Sequence, residues 1–274
     1  MIASNALTLL ATVKDELGIT VTTYDAVLER MIATISGAIE KFCRRSFSYA
    51  AVANERHRPS GLYTLVLDRT PLVSLTSVTV NDEAVDMGNV TLEDAGAGVI
   101  RRDDLWWRFE PTVARSIAQD PYAGMGEPWI LANYKGGYVP QGTTWAASTT
   151  FPAGGFVRPV SGTNLNVFQA GASGTTHGTT EPTWPAAGLT VADNGVTWTN
   201  VGPRTLPYDL EQACIDGVVS LYRQRGTDGH IASEALGDAS VSYRAVNTAI
   251  GTGSGGMLPD HVLAQLAAYR RIAA

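Results

Sequence analysis

The chain has 274 residues, of which 45% are hydrophobic and 17% charged, and a formal net charge of −6. That length and apolar content support one large domain or two smaller ones around a true core, and exclude an intrinsically disordered chain. The acidity speaks against a tight, sequence-independent grip on nucleic acid, which takes clustered Lys and Arg. No apolar run approaches the ~20 residues of a membrane-spanning helix.

Thr8 to Leu17 predicts a short helix, with Thr8 as N-cap and Gly18 ending it. A longer amphipathic helix follows, because Tyr24, Val27, Leu28, Met31, Ile32, Ile35, Ile39 and Phe42 recur at three- and four-residue steps. The period then changes. Leu62 to Leu67 reads as a strand, and Val73 to Val80 as another. Asn81-Asp82 forms the turn of a hairpin that returns through Ala84 to Asp86. Val90 to Leu92, Val99 to Arg101 and Trp129 to Tyr134 are further strands, the last ended by Gly136-Gly137.

Residues 141–203 differ from their surroundings. They hold three charged side chains (Arg158, Glu181 and Asp193), 23 Gly and Thr residues, and three of the six tryptophans. Sparse helix formers and frequent turn residues predict a small all-β module inserted at a loop tip of the host domain. The expected domains are therefore 1–140 with 204–274, discontinuous, and the module 141–203. After it, Leu210, Ala213, Cys214, Val218, Leu221 and Tyr222 form one helical stripe behind Pro207. Ser240 to Val246 reads as a strand or extended arm, and Gly251 to Gly256 as a flexible linker. A last helix opens at Leu258-Pro259-Asp260 and buries Val262, Leu263, Leu266 and Tyr269 on one face. The expected fold class is α+β: a helical bundle with a small antiparallel sheet or hairpin, plus the inserted all-β module.

A search for chemistry returns little. His57, His177, His230 and His261 have no partner at metal-ligand spacing. Cys43 and Cys214 each fall in an apolar helical pattern and read as buried small residues; a reducing compartment and no signal peptide are expected. Gly251, Gly253 and Gly256 match G-x-G-x-x-G outside any βαβ context and read as linker. The pairs Glu93-Asp94 and Asp103-Asp104 read as solvated loop charge, since neighbours on a strand point to opposite faces. The expectation is a non-enzyme without cofactor or metal. Trp145, Trp184 and Trp198 admit two readings: rings for stacking on sugars, or the core of a small module with little else to bury.

Five stretches, in order, resemble phage head-to-tail connector (adaptor) proteins. These are Leu9 to Ile19 (LLATVKDELGI), Ala38 to Phe47 (AIEKFCRRSF), Pro71 to Val80 (PLVSLTSVTV), Tyr134 to Pro140 (YKGGYVP) and Leu206 to Ala213 (LPYDLEQA). Ser233 to Asp238 (SEALGD), ahead of a short strand and last helix, also fits. In that family the fourth and fifth stretches are close in sequence, whereas here the module separates them. The module's TEPTWP and DNGVTW segments are loosely similar to chitin-binding-type modules.

The resemblance implies a virion protein of the head-tail neck, assembled in the host cytoplasm. It would form a homo-oligomeric, dodecameric ring under the portal protein, extend the channel through which genomic DNA passes without specific binding, and dock a neck or tail-completion protein. It implies portal docking through the C-terminal arm, with Ser233, Glu234, Leu236, Tyr243, Leu258, Leu266, Tyr269 and Arg270 as candidates. Removal of residues 231–274 is then expected to abolish portal binding and leave a folded core. The alternative is a carbohydrate-binding or adhesion protein acting through 141–203.

Overall fold

The computed structural model describes residues 5–58, 62–104, 106, 129–160, 165–225, 233–236, 239–242 and 258–271. The chain separates into two compact units, one of residues 1–45 with 139–274 and the other of residues 46–138.

In the first unit, α1 (Leu10–Leu17) and α2 (Asp25–Cys43) form where the apolar spacing places them. The cap of α1 falls one residue later than expected: Leu9, an apolar side chain with nothing to donate or accept, is the N-cap, and the Thr8 hydroxyl donates to Glu211. In α2, Leu28, Ile32, Ile35, Ile39 and Cys43 are fully or almost fully buried, at the three- and four-residue steps that keep side chains on one face. α3 (Tyr208–Arg223) is buried more broadly, through Leu210, Ala213, Cys214, Ile215, Gly217, Val218 and Val219, so it is the central helix. A Cβ on Gly217 would lie 2.8 Å from Ile35 Cγ2, so the bare glycine allows the close crossing of α3 over α2.

α4 (Asp260–Leu266) packs on α3 and supplies Val262 and Leu266 to the core, with Leu258 just before it. The helix is thus part of the folded unit. Removing residues 231–274 would expose the faces of α2 and α3 that these three side chains cover, each worth about 1.5–3 kcal/mol of burial. Such a truncation is therefore expected to weaken this unit as well as to remove the arm.

Residues 143–203 of this unit pair among themselves. A five-stranded sheet runs in the order β13 (Thr190–Asp193), β14 (Val196–Pro203), β11 (Asn166–Ala170), β10 (Phe156–Arg158) and β8 (Thr143–Thr144). β9 (Thr150–Phe151) and β12 (Gly174–Thr175) form a two-stranded ribbon beside it in sequence. Asn194-Gly195 makes the two-residue turn between β13 and β14, with Asn194 at φ 52°. The two ends of this segment meet: Val139 N–H donates to Thr205 Oγ1 at 2.9 Å across 66 positions of sequence. The Thr205 and Leu206 N–H groups both donate back to the Val139 carbonyl at 3.0 Å.

The second unit is built from two antiparallel sheets. One has the order β1 (Ala50–His57), β7 (Ile130–Gly136), β3 (Leu72–Val80), β4 (Glu83–Ala84). The other has the order β2 (Thr64–Val66), β6 (Val99–Arg102), β5 (Val90–Asp94). The core joins Leu65, Leu67, Leu72, Val78, Ile100, Trp106, Ile130, Ala132 and Tyr134. Asn81 and Asp82 both have positive φ, 48° and 67°, as a type I′ hairpin turn requires.

These sheets overturn the expected fold class. Among the described residues the protein is mostly β, with sixteen strands against four α-helices, and it is not a helical bundle carrying a small sheet. Helices α1 and α4 have only eight and seven residues, too short to enclose a bundle core. The strands outnumber them because extended segments such as β1 are held by pairing with β7 rather than by any apolar period of their own.

Candidate functional site

The most connected polar site within 143–203 is built around one carboxylate. Asp193 is 3% exposed. Its Oδ2 accepts the indole N–H of Trp145 at 2.8 Å and that of Trp198 at 3.1 Å, and its Oδ1 accepts the His177 backbone N–H at 2.8 Å. β13 ends at Asp193 and β14 carries Trp198, so the hairpin turn brings two of these groups together, while Trp145 arrives from 48 positions away. Glu181 does the same for the third ring, accepting from Trp184 Nε1 at 2.8 Å and from Val160 N at 2.7 Å.

Both acidic side chains of the segment thus hold indoles, because a buried indole N–H requires an acceptor. Around them Trp145, Phe151, Val157, Phe168, Ala170, Val196 and Trp198 close one core, with Trp184 packed against it. Trp184 lies over Phe168 at 4.3 Å between ring centroids and meets Trp198 edge-on at 6.3 Å. Trp145 is 8% and Trp198 0% exposed, so a sugar could reach only the partly buried Trp184.

A second network sits in the β1–β7 sheet. Glu55 Oε1 accepts from His57 Nε2 at 2.6 Å and from the Asp68 N–H at 2.9 Å. Glu55 Oε2 accepts the Tyr134 hydroxyl, which itself accepts the Arg69 N–H at 2.9 Å. Burial opposes the charge on Glu55, and the bonds from His57, Tyr134 and the Asp68 N–H outweigh it, so the carboxyl titrates below its ordinary value. Burial, together with the bond to Glu55, raises the Tyr134 phenol well above its ordinary range.

A depressed carboxyl pKa contributes stability above the unfolded value that is lost as pH falls through the folded one. Thermal unfolding followed from pH 6 to pH 3 should therefore show a fall below about pH 4. Glu55→Gln should flatten that slope and cost about 2–3 kcal/mol at neutral pH. An unchanged slope in the variant would remove Glu55 as its source.

In the first unit, Glu211 is 6% exposed and accepts from Thr8 Oγ1 at 3.3 Å and from Arg204 Nη2 at 2.6 Å. It lies on a cavity of about 330 Å³ whose walls include Leu7, Thr149, Phe151 and Phe156. Cys43 and Cys214 are buried free thiols, raised by desolvation to about 11 and about 12, which keeps them protonated and unreactive. Among the described residues no group of three His, Cys, Asp or Glu is placed to hold a metal ion. Among them, too, no helix is long and apolar enough to cross a membrane.

The predicted docking residues are dispersed. Ser233, Glu234 and Leu236 lie on β15 (Ser233–Leu236), paired antiparallel with β16 (Ala239–Ser242). Tyr243 lies outside the described residues, as does the linker 251–256. Leu258 and Leu266 are 6% and 0% exposed and serve the helical core. Tyr269 donates its hydroxyl to Asp209, at 2.7 and 2.8 Å from the two carboxylate oxygens. Arg270 is exposed and its guanidinium lies 5.4 Å from the Phe42 ring centroid. Sequence reasoning missed Asp193, Glu55 and Glu211, because nothing in a one-dimensional pattern shows which distant donors a carboxylate will meet.

No family model matches the chain, and no curated protein matches it. Among solved structures, a chain from the neck of an empty gene transfer agent (GTA) particle, computed with C6 symmetry, superposes with a TM-score of 0.42 at 13% identity, covering 100% of this chain and 94% of that one. A chain from the virion of the native GTA particle gives 0.43 at 12% identity, with the same coverage of 100% and 94%. Scores this low establish no shared fold, and the likeness carries no functional argument.

Proposed function

We propose that the chain is a non-enzymatic structural subunit of a phage-type virion, acting as a head-tail adaptor in the neck. In this reading copies form a ring, dodecameric by the family resemblance, beneath the portal. The ring extends the DNA channel without gripping the DNA, and presents a surface to the next neck or tail-completion protein.

The observation that carries the reading is the join at Val139. The resemblance places the YKGGYVP strand end close to the LPYDLEQA helix start, yet 65 residues lie between Pro140 and Leu206. In space the two stretches are hydrogen-bonded neighbours, through Val139, Thr205 and Leu206. The path from strand to helix is thus continuous across the base of the 141–203 segment, which supports the connector reading. The supporting physics is that the carboxylates of the segment hold indoles, and that Glu211 is committed to Arg204 and Thr8. Carboxylates occupied in this way suit a structural role.

Two experiments test it. Joining Pro140 directly to Arg204 should leave a folded, cooperatively melting protein that retains α1 to α4, because the bonds at Val139 survive the excision. Loss of helical circular dichroism would show that 141–203 is integral to the fold. Electron microscopy of a lysate lacking this gene should show DNA-filled or leaking heads without tails. Intact tailed virions with poor adsorption would overturn the adaptor role in favour of adhesion.

A further inference from the structure

Residues 143–203 have a core of their own, closed around Trp145, Phe168 and Trp198. The helices, which pack on one another, bury a separate set that includes Leu28, Ile32, Val218 and Val262. Between the two lies the cavity of about 330 Å³. Leu7, Leu9 and Glu29 wall it on the helical side, and Thr149, Phe151 and Phe156 on the side of the sheet. Protein interiors fix one element against another by interdigitating side chains at crystal-like density, with few voids larger than a water. A cavity of this size at the joint removes that constraint over its span.

What fixes the joint sits at its base. The chain crosses there twice, at Gln141 and at Arg204. Val139 and Leu206 are buried beside the crossings and share the bonds with Thr205 described above. Arg204 ties both stems to α3. Its Nη2 donates to Glu211 Oε2 at 2.6 Å, its Nη1 to Gln141 Oε1 at 3.5 Å, and its Nε to the Leu206 carbonyl at 3.2 Å.

β14 is also interrupted just before it reaches its stem. Val167 pairs with Gly202 and Phe168 with Asn200, so the pairing skips Val201, and Gly202 has φ +90°. A bulge of this kind bends its strand. Hinges are such element-terminal positions, where a few residues absorb a change of backbone angle.

We propose that 143–203 is a hinged module. It pivots about the stems at Gln141 and Arg204, so that the cavity opens and closes against residues 7–9 and α2. The Arg204–Glu211 ion pair is the latch that limits the swing. The hinge does not depend on the adaptor reading; it lets the segment reorient while α1 to α4 stay in place.

Pulsed electron spin resonance on the full chain measures the swing. Cys43 and Cys214 are buried, so spin labels go to introduced cysteines. Arg30→Cys with Thr197→Cys spans the joint, from α2 to β14, at two exposed positions. Arg30→Cys with Gln212→Cys stays within the helices and gives the width that the labels alone produce. The spanning pair should give a distance distribution several ångströms wider than the helical pair. Ala146→Phe adds a ring at the cavity wall and should narrow the distribution to the helical width. Arg204→Gln releases the latch and should widen it; Glu211→Gln serves if that variant does not fold.

A wild-type spanning pair as narrow as the helical pair would overturn the inference. So would a wide distribution that neither Ala146→Phe nor the latch variants change, because the motion would then lie in the segment's own loops rather than at its base. Either result leaves the adaptor reading to the lysate phenotype.

Discussion

Replacing Asp193 with alanine is expected to cost about 3–5 kcal/mol and to melt the 143–203 sheet ahead of the rest of the first unit. The carboxylate takes two indole N–H groups and one backbone N–H in a site closed to water. Truncation strands all three donors, and each buried unsatisfied group costs about 1–3 kcal/mol. Partial relaxation keeps the total below the sum. Asp193→Asn should fall between, since its carbonyl can still serve the indoles while its amide confronts the His177 N–H. Urea unfolding followed by tryptophan emission reads the effect, with an early red shift as Trp145 and Trp198 reach water. A loss under about 1 kcal/mol would mean that packing alone holds the rings.

The second large effect is expected at Gly137, in the YKGGYVP stretch. It has φ +98°, and a Cβ there would lie 2.3 Å from the Ser48 carbonyl oxygen and 2.9 Å from Tyr49 N. The Tyr138 N–H donates to Phe47 O and the Tyr49 N–H to Tyr138 O, at 2.7 and 3.0 Å, so the two backbones are clamped and cannot retreat cheaply. Gly137→Ala should therefore cost about 2–4 kcal/mol, combining backbone strain with overpacking. Gly188→Ala is the control. Its φ is +81°, but nothing lies within 4 Å of the added carbon, so the conformational cost of about 1 kcal/mol stands alone. Equal losses at the two positions, measured by chemical unfolding, would show that crowding at Ser48 contributes nothing.

Local rules made several elements legible. α2 was readable to within a residue at each end, because an amphipathic stripe repeats its signal every turn and needs no distant partner. The Asn81-Asp82 turn was readable because positive φ at two successive positions is a local demand. β1 was not readable. Its sequence, AAVANERH, has no apolar alternation, and a bulge between Val52 and Glu55, with Asn54 at φ 54°, breaks its register. Thr8 was readable as a cap by type, yet its hydroxyl is taken by Glu211, 203 positions away.

The sequence by itself determined the helical stripes, the turns, the distinct composition of 141–203 and the ordered stretches that resemble connector proteins, all of which depend on neighbours a few residues apart. Only the tertiary structure decided that the protein is mostly β and that Trp145 and Trp198 point into a core. It also decided that α4 belongs to the folded unit. The physical reason is the same in each case. Strand pairing and the hydrogen-bond partner of a buried polar group are set by contacts between distant positions, to which no local periodicity is a guide.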